Sequence, residues 1–544
     1  MKIKNLWVFT AIPLFFICCK DVEKTQEESS LKDQPNIIWL VAEDQSPEWF
    51  PMYGDSTISL PNIESLVIDG VTFDNAVAPV PVCAPSRSSL ITGMYPTTLG
   101  THNMRTYTAW RKISEPLLDS LPSYSPIVPD GVKMFTEYLR KEGYYTANGP
   151  KEDYNFAKTD GAWDESSKNR HFRKREDGQP FFSVFNFSVC HESQIWKRGK
   201  DSLFVDPKDV KVPPYFPDND TIRHDLAVNY SNLKRLDNQI GKVIDDLKED
   251  GLYENSIIFF YADHGGPFPR HKRALYDTGV KVPLVIKFAQ NEKAGTRDER
   301  QISFIDYAPT VLSLAGIEPP KVMQGTAQFG TFEAHKKPNY TYHTSDRFDE
   351  IYDRLRAVRS PRYKYIKSFN TEISHAMPLI YRAQMPMMRE LRRQYASGNL
   401  NEEQSKWLHP TKPVEEFYDL QKDPFELNNL VDNPKMQDTL AKYRQLLKDW
   451  MEDTNDLGKI PERQLMEKWL ANGQQPKLKP IHMQESQSGI ELISSKSDAS
   501  IVWKQPQDSI WNIYSQPISK DVTFEAKAER IGYIDSELLQ YSAD

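Results

Sequence analysis

The sequence predicts an α/β fold built on a large, mostly parallel sheet flanked by helices. Three near-continuous apolar runs of strand length each end in polar residues: 36–41, 181–187 and 256–261. Strands that are apolar throughout are typical of a sheet covered on both faces. Residues 226–247 carry apolar side chains at helical spacing, which predicts a helix with one buried face. A second helix is expected at about 304–314, ended by Gly316.

The chain should form more than one domain, because 544 residues exceed the size of one ordinary core. The large α/β domain is predicted over residues 35–334. After it the pattern changes to strand-like alternation, which predicts a smaller C-terminal α+β subdomain over 335–485, with an antiparallel sheet and a helix at about 436–451. Short alternating segments predict a small β module over 486–544.

The amino terminus, residues 1–19, has the pattern of an export signal. A positively charged start is followed by an apolar run that is shorter than the roughly 20 residues of a membrane span. The run ends at two cysteines and resembles a bacterial lipoprotein signal with Cys19 as the lipidated residue; a cleaved soluble signal is the alternative. Polar residues 20–34 then predict a tether. We expect an exported lipoprotein of the outer membrane, at the cell surface or in the periplasm, that contacts the membrane by its lipid anchor only.

Charge and cysteine content narrow the possible partners. The net charge is −8 and no long basic run is present, which argues against nucleic acid. A locally cationic site for an anion remains compatible with this charge. Two of the four cysteines lie in the signal region, which leaves Cys83 and Cys190. A disulfide between them is possible in an exported protein, but the surroundings of Cys83 favour another use.

Residues 83–93 read Cys-Ala-Pro-Ser-Arg-Ser-Ser-Leu-Ile-Thr-Gly. From the residues alone, this is a thiol held by a proline turn and followed by hydroxyls and a cation; a turn with a buried free cysteine is the alternative. The pattern Cys-x-Pro-Ser-Arg followed by Ser-x-Leu-x-Thr-Gly resembles the maturation signature of type I sulfatases, in the alkaline phosphatase superfamily. The resemblance covers residues 35–455 and implies an alkaline phosphatase-like fold. It also implies that a maturation enzyme oxidises Cys83 to formylglycine, whose hydrate is the nucleophile.

Acidic residues at two strand ends predict a metal site together with Cys83. Glu43 and Asp44 follow the first run, and Asp263 and His264 follow the third. The carboxyl ends of parallel strands share one edge of a sheet, where ligands bind. Carboxylates suit Ca²⁺, the ion that we expect, although the histidine nitrogen leaves Mg²⁺ or another divalent ion open. The family usually has two aspartates where Glu43 and Asp44 stand, so either Glu43 also binds metal or Asp44 carries most of the binding.

The resemblance assigns the remaining catalytic roles. Arg87 lies one helical turn beyond Cys83 and should brace the hydrated aldehyde and the metal carboxylates. Lys151 matches the family's lysine that binds sulfate. The family has a histidine two residues after this lysine, and Asp153 occupies that position here. His191 is expected to be the general acid, because an imidazole has a suitable pKa, and Lys272 to bind sulfate. For His191 or Lys272 alone, a surface charge or a satisfied polar contact is the alternative.

The implied activity is hydrolysis of sulfate esters on a sulfated polysaccharide or oligosaccharide. Residues 41–45 and 263–269 look most like heparan N-sulfatase and bacterial polysaccharide sulfatases. His343, Asp346 and Arg347 are predicted to bind sugar, with a structural polar loop as the alternative. Two other functions stay open: a phosphonate or phosphate-ester hydrolase of the same superfamily, and a non-catalytic glycan-binding surface lipoprotein.

Overall fold

The computed structural model describes residues 34–107, 123–470 and 472–543. The predicted signal with Cys19, and nearly all of the tether, lie outside the described residues. In the described ranges, none of the helices combines the length and apolarity that crossing a bilayer requires.

An eight-stranded, mostly parallel sheet forms the centre of the protein, which confirms the predicted fold class. Its strands are β1 Asn36–Ala42, β2 Val71–Val77, β3 Tyr145–Asn148, β4 Glu165–Ser166, β5 Phe181–Phe187, β6 Ser256–Ala262, β7 Leu284–Lys287 and β8 Thr296–Ser303. Their order is β4-β3-β5-β1-β6-β7-β2-β8. Strand β7 runs antiparallel to both neighbours, and the other pairs are parallel.

The three strands predicted from apolar runs lie side by side. β1 pairs with β5 on one side and with β6 on the other, so that Val41 lies opposite Asn186 and Tyr261. All residues of β1 and β6 are buried. Because the three strands are parallel, the polar residues that follow them meet at one edge of the sheet.

Helices of the large domain and the C-terminal region cover the sheets. They are α1 Pro61–Asp69, α2 Cys83–Thr92, α3 Pro96–Leu99, α4 Phe135–Lys141, α5 Ser193–Lys197, α6 Asp220–Glu249, α7 Asp277–Val280, α8 Tyr307–Leu314, α9 Pro386–Ala396, α10 Glu402–Ser405, α11 Gln437–Asp453 and α12 Glu462–Trp469. α6 starts earlier than its apolar pattern predicts, because the Asn219 side chain caps the polar first turn. Gly316, at φ 77°, follows the end of α8.

The C-terminal region contains the predicted antiparallel sheet and helix. Its strands are β9 Thr341–Ser345, β10 Leu355–Arg359, β11 Tyr363–Ser368 and β12 Glu415–Asp419, in the order β12-β11-β10-β9. One face of α11 packs on this sheet, where Tyr443 and Trp450 join a buried cluster with Val358 and Phe417.

Two small antiparallel sheets close the chain. They contain β13 His482–Ser486 and β14 Gly489–Ile493, and then β15 Ser500–Lys504, β16 Asn512–Ile513, β17 Phe524–Glu529 and β18 Leu539–Tyr541. The first of these strands starts at His482, shortly before the predicted boundary at 486. The module contacts the large domain directly: the Glu529 carboxylate accepts hydrogen bonds from the backbone N–H groups of Asp160 and Gly161.

Candidate active site

Helix α2 begins at Cys83 and carries Arg87 one turn later, as expected. Pro85 is tolerated because the first four N–H groups of a helix have no partner within it. The Ser86 hydroxyl donates to the Asp263 carbonyl at 2.6 Å and ties the helix to the end of β6. Every residue of the helix is buried. Cys83 and Cys190 are both free thiols, so the disulfide alternative is wrong.

Four buried residues offer ligand atoms to one point beside the sheet. The candidate ligand atoms of Asp44, Cys83, Asp263 and His264 all lie within 4.8 Å of one another. Opposite ligands of a Ca²⁺ ion have such a separation, since each lies about 2.3 to 2.6 Å from the ion. His264 Nδ1 lies 2.9 Å from the Gly265 carbonyl, and its Nε2 lies 3.0 Å from Asp44 Oδ1, so Nε2 is the ring nitrogen that a bound ion would meet. This donor set fits a divalent cation.

Glu43 stands outside that group of four. Its Oε1 lies 2.5 Å from Lys151 Nζ and 3.7 Å from Arg87 Nη2. Asp44 instead turns into the group through a left-handed backbone with φ 53°, and its N–H donates to Asp263 Oδ1. Of the two alternatives for the acidic pair, the structure therefore favours the one in which Asp44 carries the metal binding.

Arg87 connects the ends of two strands. Its Nε and Nη2 donate to Asp263 Oδ2 at 3.1 and 2.9 Å, and its Nη1 donates to Asn186 Oδ1 at 2.6 Å. Asn186 belongs to β5 and was missed by sequence reasoning. Its signal was available: it is a polar residue near the carboxyl end of an otherwise apolar strand.

Lys272 and His191 meet above Cys83. Lys272 Nζ lies 2.8 Å from Asp44 Oδ2, 3.6 Å from Cys83 Sγ and 3.5 Å from His191 Nε2. The Ser193 N–H donates to His191 Nδ1 at 3.2 Å. Nδ1 also lies 2.9 Å from Ser193 Oγ, so Nδ1 is occupied by Ser193 and Nε2 is the ring nitrogen that faces Lys272 and the site.

The charges around Cys83 favour an anion at that position. Burial alone raises the pKa of the thiol, but Lys151 and Lys272 outweigh this effect and lower it to about 6. In the same way, burial lowers the pKa of His264, whereas Asp263 and Asp44 raise it to about 10. In both cases the opposite charges of neighbouring groups stabilise the ionised form more than burial destabilises it.

Two further charged residues, Glu192 and Arg273, complete the site, and of these Glu192 was missed by sequence reasoning. Glu192 receives Arg273 Nη1 and Nη2, both at 2.9 Å, and its Oε1 lies 3.3 Å from Lys272 Nζ. The Glu192 N–H donates to Asp44 Oδ2 at 2.6 Å. Arg273 also donates to Asp349 at 2.7 Å. No motif spacing indicates these contacts, since they join loops that are distant in sequence.

Asp153 lies beside Lys151, with 3.8 Å between its Oδ2 and Lys151 Nζ. Burial raises the pKa of this carboxyl, but Lys151 and Arg105 outweigh burial and hold it below its ordinary value. An ionised carboxylate thus occupies the side of Lys151 where the family resemblance places a histidine.

The three predicted sugar-binding residues are buried and have internal partners. His343 Nδ1 lies 2.8 Å from the Ala78 carbonyl. Arg356 contacts Asp346 at 2.9 Å, and Arg347 Nε contacts Glu462 Oε2 at 2.6 Å. These contacts favour the structural alternative for this loop.

Two family models match the chain. The model described as sulfatase matches residues 35–317, and the model described as N-sulphoglucosamine sulphohydrolase, C-terminal, matches residues 266–405. Together they span the central sheet, the site and much of the C-terminal region.

Curated relatives include sulfatases of bacterial and human origin. An ulvan-active sulfatase of Formosa agariphila is 38% identical over 590 residues, which covers 99% of this chain and 98% of that protein. Human N-sulphoglucosamine sulphohydrolase is 23% identical and covers 82% of this chain and 95% of its own length.

Solved structures share the fold at lower identity. The structure of BT4656 in complex with its substrate D-glucosamine-2-N,6-O-disulfate has a TM-score of 0.56 at 16% identity, and covers 79% of this chain and 99% of that one. The phosphonate monoester hydrolase of Silicibacter pomeroyi has a TM-score of 0.54 at 16% identity, with coverages of 85% and 99%. The fold alone therefore does not separate sulfur from phosphorus chemistry. The family models and the relative at 38% identity make this distinction. They show that the chain belongs to the sulfatase family and is a sulfuric ester hydrolase.

Proposed function

We propose that the protein hydrolyses sulfate esters on a sulfated glycan, through a formylglycine made from Cys83 by a maturation enzyme and through one bound Ca²⁺. The observation that carries the proposal is the buried group in which Asp44, Asp263 and His264 surround Cys83. Arg87 and Lys272 add positive charge on the same group. This arrangement suits a sulfate ester group, whose negative charge has to be bound at the same place where the nucleophile attacks the sulfur.

The metal would be held by Asp44, Asp263 and His264, together with an oxygen at position 83. When bound, it supplies a Lewis acid that polarises the sulfuryl oxygens, and the hydrated aldehyde at position 83 supplies the attacking oxygen. Ca²⁺ is preferred because two of the three side chains offer carboxylate oxygens.

The other roles belong to side chains of this chain. Lys272 and Lys151 stabilise the negative charge that grows on the sulfuryl oxygens. In its doubly protonated form, His191 donates the Nε2 proton to the sugar oxygen as the S–O bond breaks, and the neutral ring keeps the Nδ1 proton beside Ser193 Oγ at 2.9 Å. The ring is only half-buried, and its Nε2 faces Lys272. Asp153, beside Lys151, accepts the proton that the hydroxyl at position 83 loses.

The relatives support a sulfated polysaccharide as substrate, such as ulvan. Beside His191, Tyr381 and Trp196 present half-buried rings whose centroids lie 5.3 Å apart. Aromatic rings of this kind combine an apolar face with a polar edge, which suits the face of a sugar. We also propose that the protein is exported and lipidated at Cys19, so that it meets its polymer at the cell surface or in the periplasm.

The test is sulfate release from a panel of sulfated oligosaccharides, with protein whose Cys83 peptide has been checked for formylglycine by mass spectrometry. We expect release by the wild type and none by Cys83→Ala, with Cys190→Ala as the matched cysteine control. Undiminished release by Cys83→Ala would disprove the mechanism. Paired rates on a sulfate ester and a phosphonate ester of the same alcohol decide between a sulfatase and a phosphorus-ester hydrolase. An inactive protein whose Cys83 is not converted would favour the alternative of a non-catalytic glycan-binding protein.

A further inference from the structure

Arg105 is a half-buried arginine in the loop after helix α3, and Thr101 of this loop lies 2.6 Å from Ser88 on the helix that carries Cys83. Within the ranges that the structure describes, its guanidinium makes neither a hydrogen bond nor a close ion pair. The acidic groups that act on its charge are Asp153, Asp349 and Cys83. Burial lowers the pKa of Arg105, but these three groups outweigh it and raise the pKa above its ordinary value. Arg105 therefore remains a cation in the folded protein.

The neighbouring carboxylates are already engaged by other cations. Asp349 Oδ2 accepts a hydrogen bond from Arg273 Nε at 2.7 Å, and Asp153 Oδ2 lies 3.8 Å from Lys151 Nζ. Arg87 and Lys272 are likewise paired, with Asp263 and Asp44 respectively. Arg105 differs from these four described cations, because its charge is left for an anion that comes from outside.

One buried side chain holds the Arg105 loop in place. Asn155 Nδ2 donates to the Thr101 and Asn103 carbonyls at 2.8 and 2.6 Å. Its Oδ1 accepts from the Thr106 N–H, and the Thr106 hydroxyl donates to the Asn155 carbonyl. These four bonds bracket Arg105 on both sides, so Asn155 is a positioning residue for the loop.

Two other segments brace the same loop. Thr101 Oγ1 lies 2.6 Å from Ser88 Oγ on helix α2, and the Met104 N–H donates to the Arg347 carbonyl at 2.9 Å. Arg105 itself adopts φ 55°, a left-handed conformation that is uncommon for residues other than glycine. Such conformations persist where the surroundings impose them, and they cluster at ligand sites. The loop is thus fixed around a guanidinium that has neither a hydrogen bond nor an ion pair among the described residues.

We propose that Arg105 is a specificity-determining residue that binds a second anionic group of the substrate, a carboxylate or another sulfate on the glycan near the scissile sulfate. The inference rests on the proposed function, since it assigns the second anion to the same sulfated substrate. A guanidinium suits such groups, because its planar fork binds carboxylate or sulfate oxygens in pairs.

Binding separates this proposal from the chemistry. Isothermal titration measures the affinity of Cys83→Ala and of Cys83→Ala/Arg105→Ala for three ligands: a sulfated oligosaccharide that contains uronates, its carboxyl-reduced form, and a form with a single sulfate. We expect Arg105→Ala to weaken binding of the parent ligand about 10- to 100-fold. The effect should fall below about threefold in whichever ligand lacks the anion that Arg105 contacts, which identifies that anion. Sulfate release by the wild type is scored separately, so a failure of the proposed function is seen independently.

Equal weakening of binding for all three ligands would indicate that Arg105 contacts the scissile sulfate, which would overturn the proposal. Unchanged affinity for all three ligands would also overturn it. Arg173→Ala is the matched control, because Arg173 is exposed and pairs with Asp250 beyond the end of α6. Asn155→Gly keeps the left-handed backbone accessible and removes the side-chain bonds. We expect it to reproduce the loss of discrimination between the ligands; a purely structural role would weaken all of them alike.

Discussion

Lys272 Nζ lies 3.5 Å from His191 Nε2, with the lysine also bound to Asp44 at 2.8 Å. Lys272 Nζ also lies 3.6 Å from Cys83 Sγ, so the lysine and the imidazole border the same reactive position. At that position the ring nitrogen can reach the leaving oxygen while the lysine binds sulfuryl oxygens, as a general acid and an anion-binding cation require.

His191→Gln should lower kcat on a sugar sulfate by about 10²- to 10⁴-fold. On an aryl sulfate with an acidic phenol the loss should be much smaller, because that phenolate leaves without a proton. His482→Gln is the control, since His482 is exposed on β13. An equal loss on both esters, measured by steady-state kinetics, would argue against His191 as the acid.

Removal of divalent metal should abolish turnover and lower the melting temperature, because the Asp44 and Asp263 carboxylates are fully buried. A ligand that binds only the folded state adds about 2.7 kcal/mol at a concentration 100 times its Kd. Asp263→Asn should remove the calcium dependence of the melting temperature, whereas Glu43→Gln should keep it. If a thermal shift titration shows that Glu43→Gln loses the calcium dependence and Asp263→Asn keeps it, Glu43 and not Asp263 binds the ion.

Glu462→Ala should lower the free energy of unfolding by about 3 to 5 kcal/mol, because it leaves the buried Arg347 charge without its partner. Glu467, exposed on the same helix, is the control position. Both are measured by chemical denaturation. If Arg347 binds sugar instead, Arg347→Ala should raise KM and leave the denaturation midpoint unchanged.

The contact between the terminal β module and the large domain should depend on pH. Burial, followed by the nearby Glu137 and Asp160, raises the pKa of Glu529 from 4.5 to about 8. The folded state therefore favours the protonated carboxyl, and stability is lost as pH rises from about 4.5 to about 8. Glu529→Gln should reduce this loss, by on the order of a few kcal/mol at pH 9, whereas Glu525→Gln on the same strand should not. A melting temperature of the wild type that is flat between pH 5 and 9 would contradict the assignment.

The strands and the motif were readable from local sequence. β1, β5 and β6 are apolar because both faces of a central strand are buried, and Cys83 with Arg87 starts a helix where the spacing predicts one. Contacts between distant loops were not readable in this way. Glu192 reaches Asp44 and Arg273 through loops far apart in the chain, and no spacing rule reports such contacts.

The sequence by itself determined the α/β class, the reactive cysteine and the types of charged group that surround it, because these depend on periodicity and on adjacent residues. Only the tertiary structure decided how those charges are paired. In the tertiary structure Asp44 joins the candidate metal ligands, whereas Glu43 pairs with Lys151. Arg347 is buried in an ion pair with Glu462. The tertiary structure also leaves Arg105 unpaired within the described chain. Pairing is decided by distances of a few ångströms between loops, and the fold alone sets those distances.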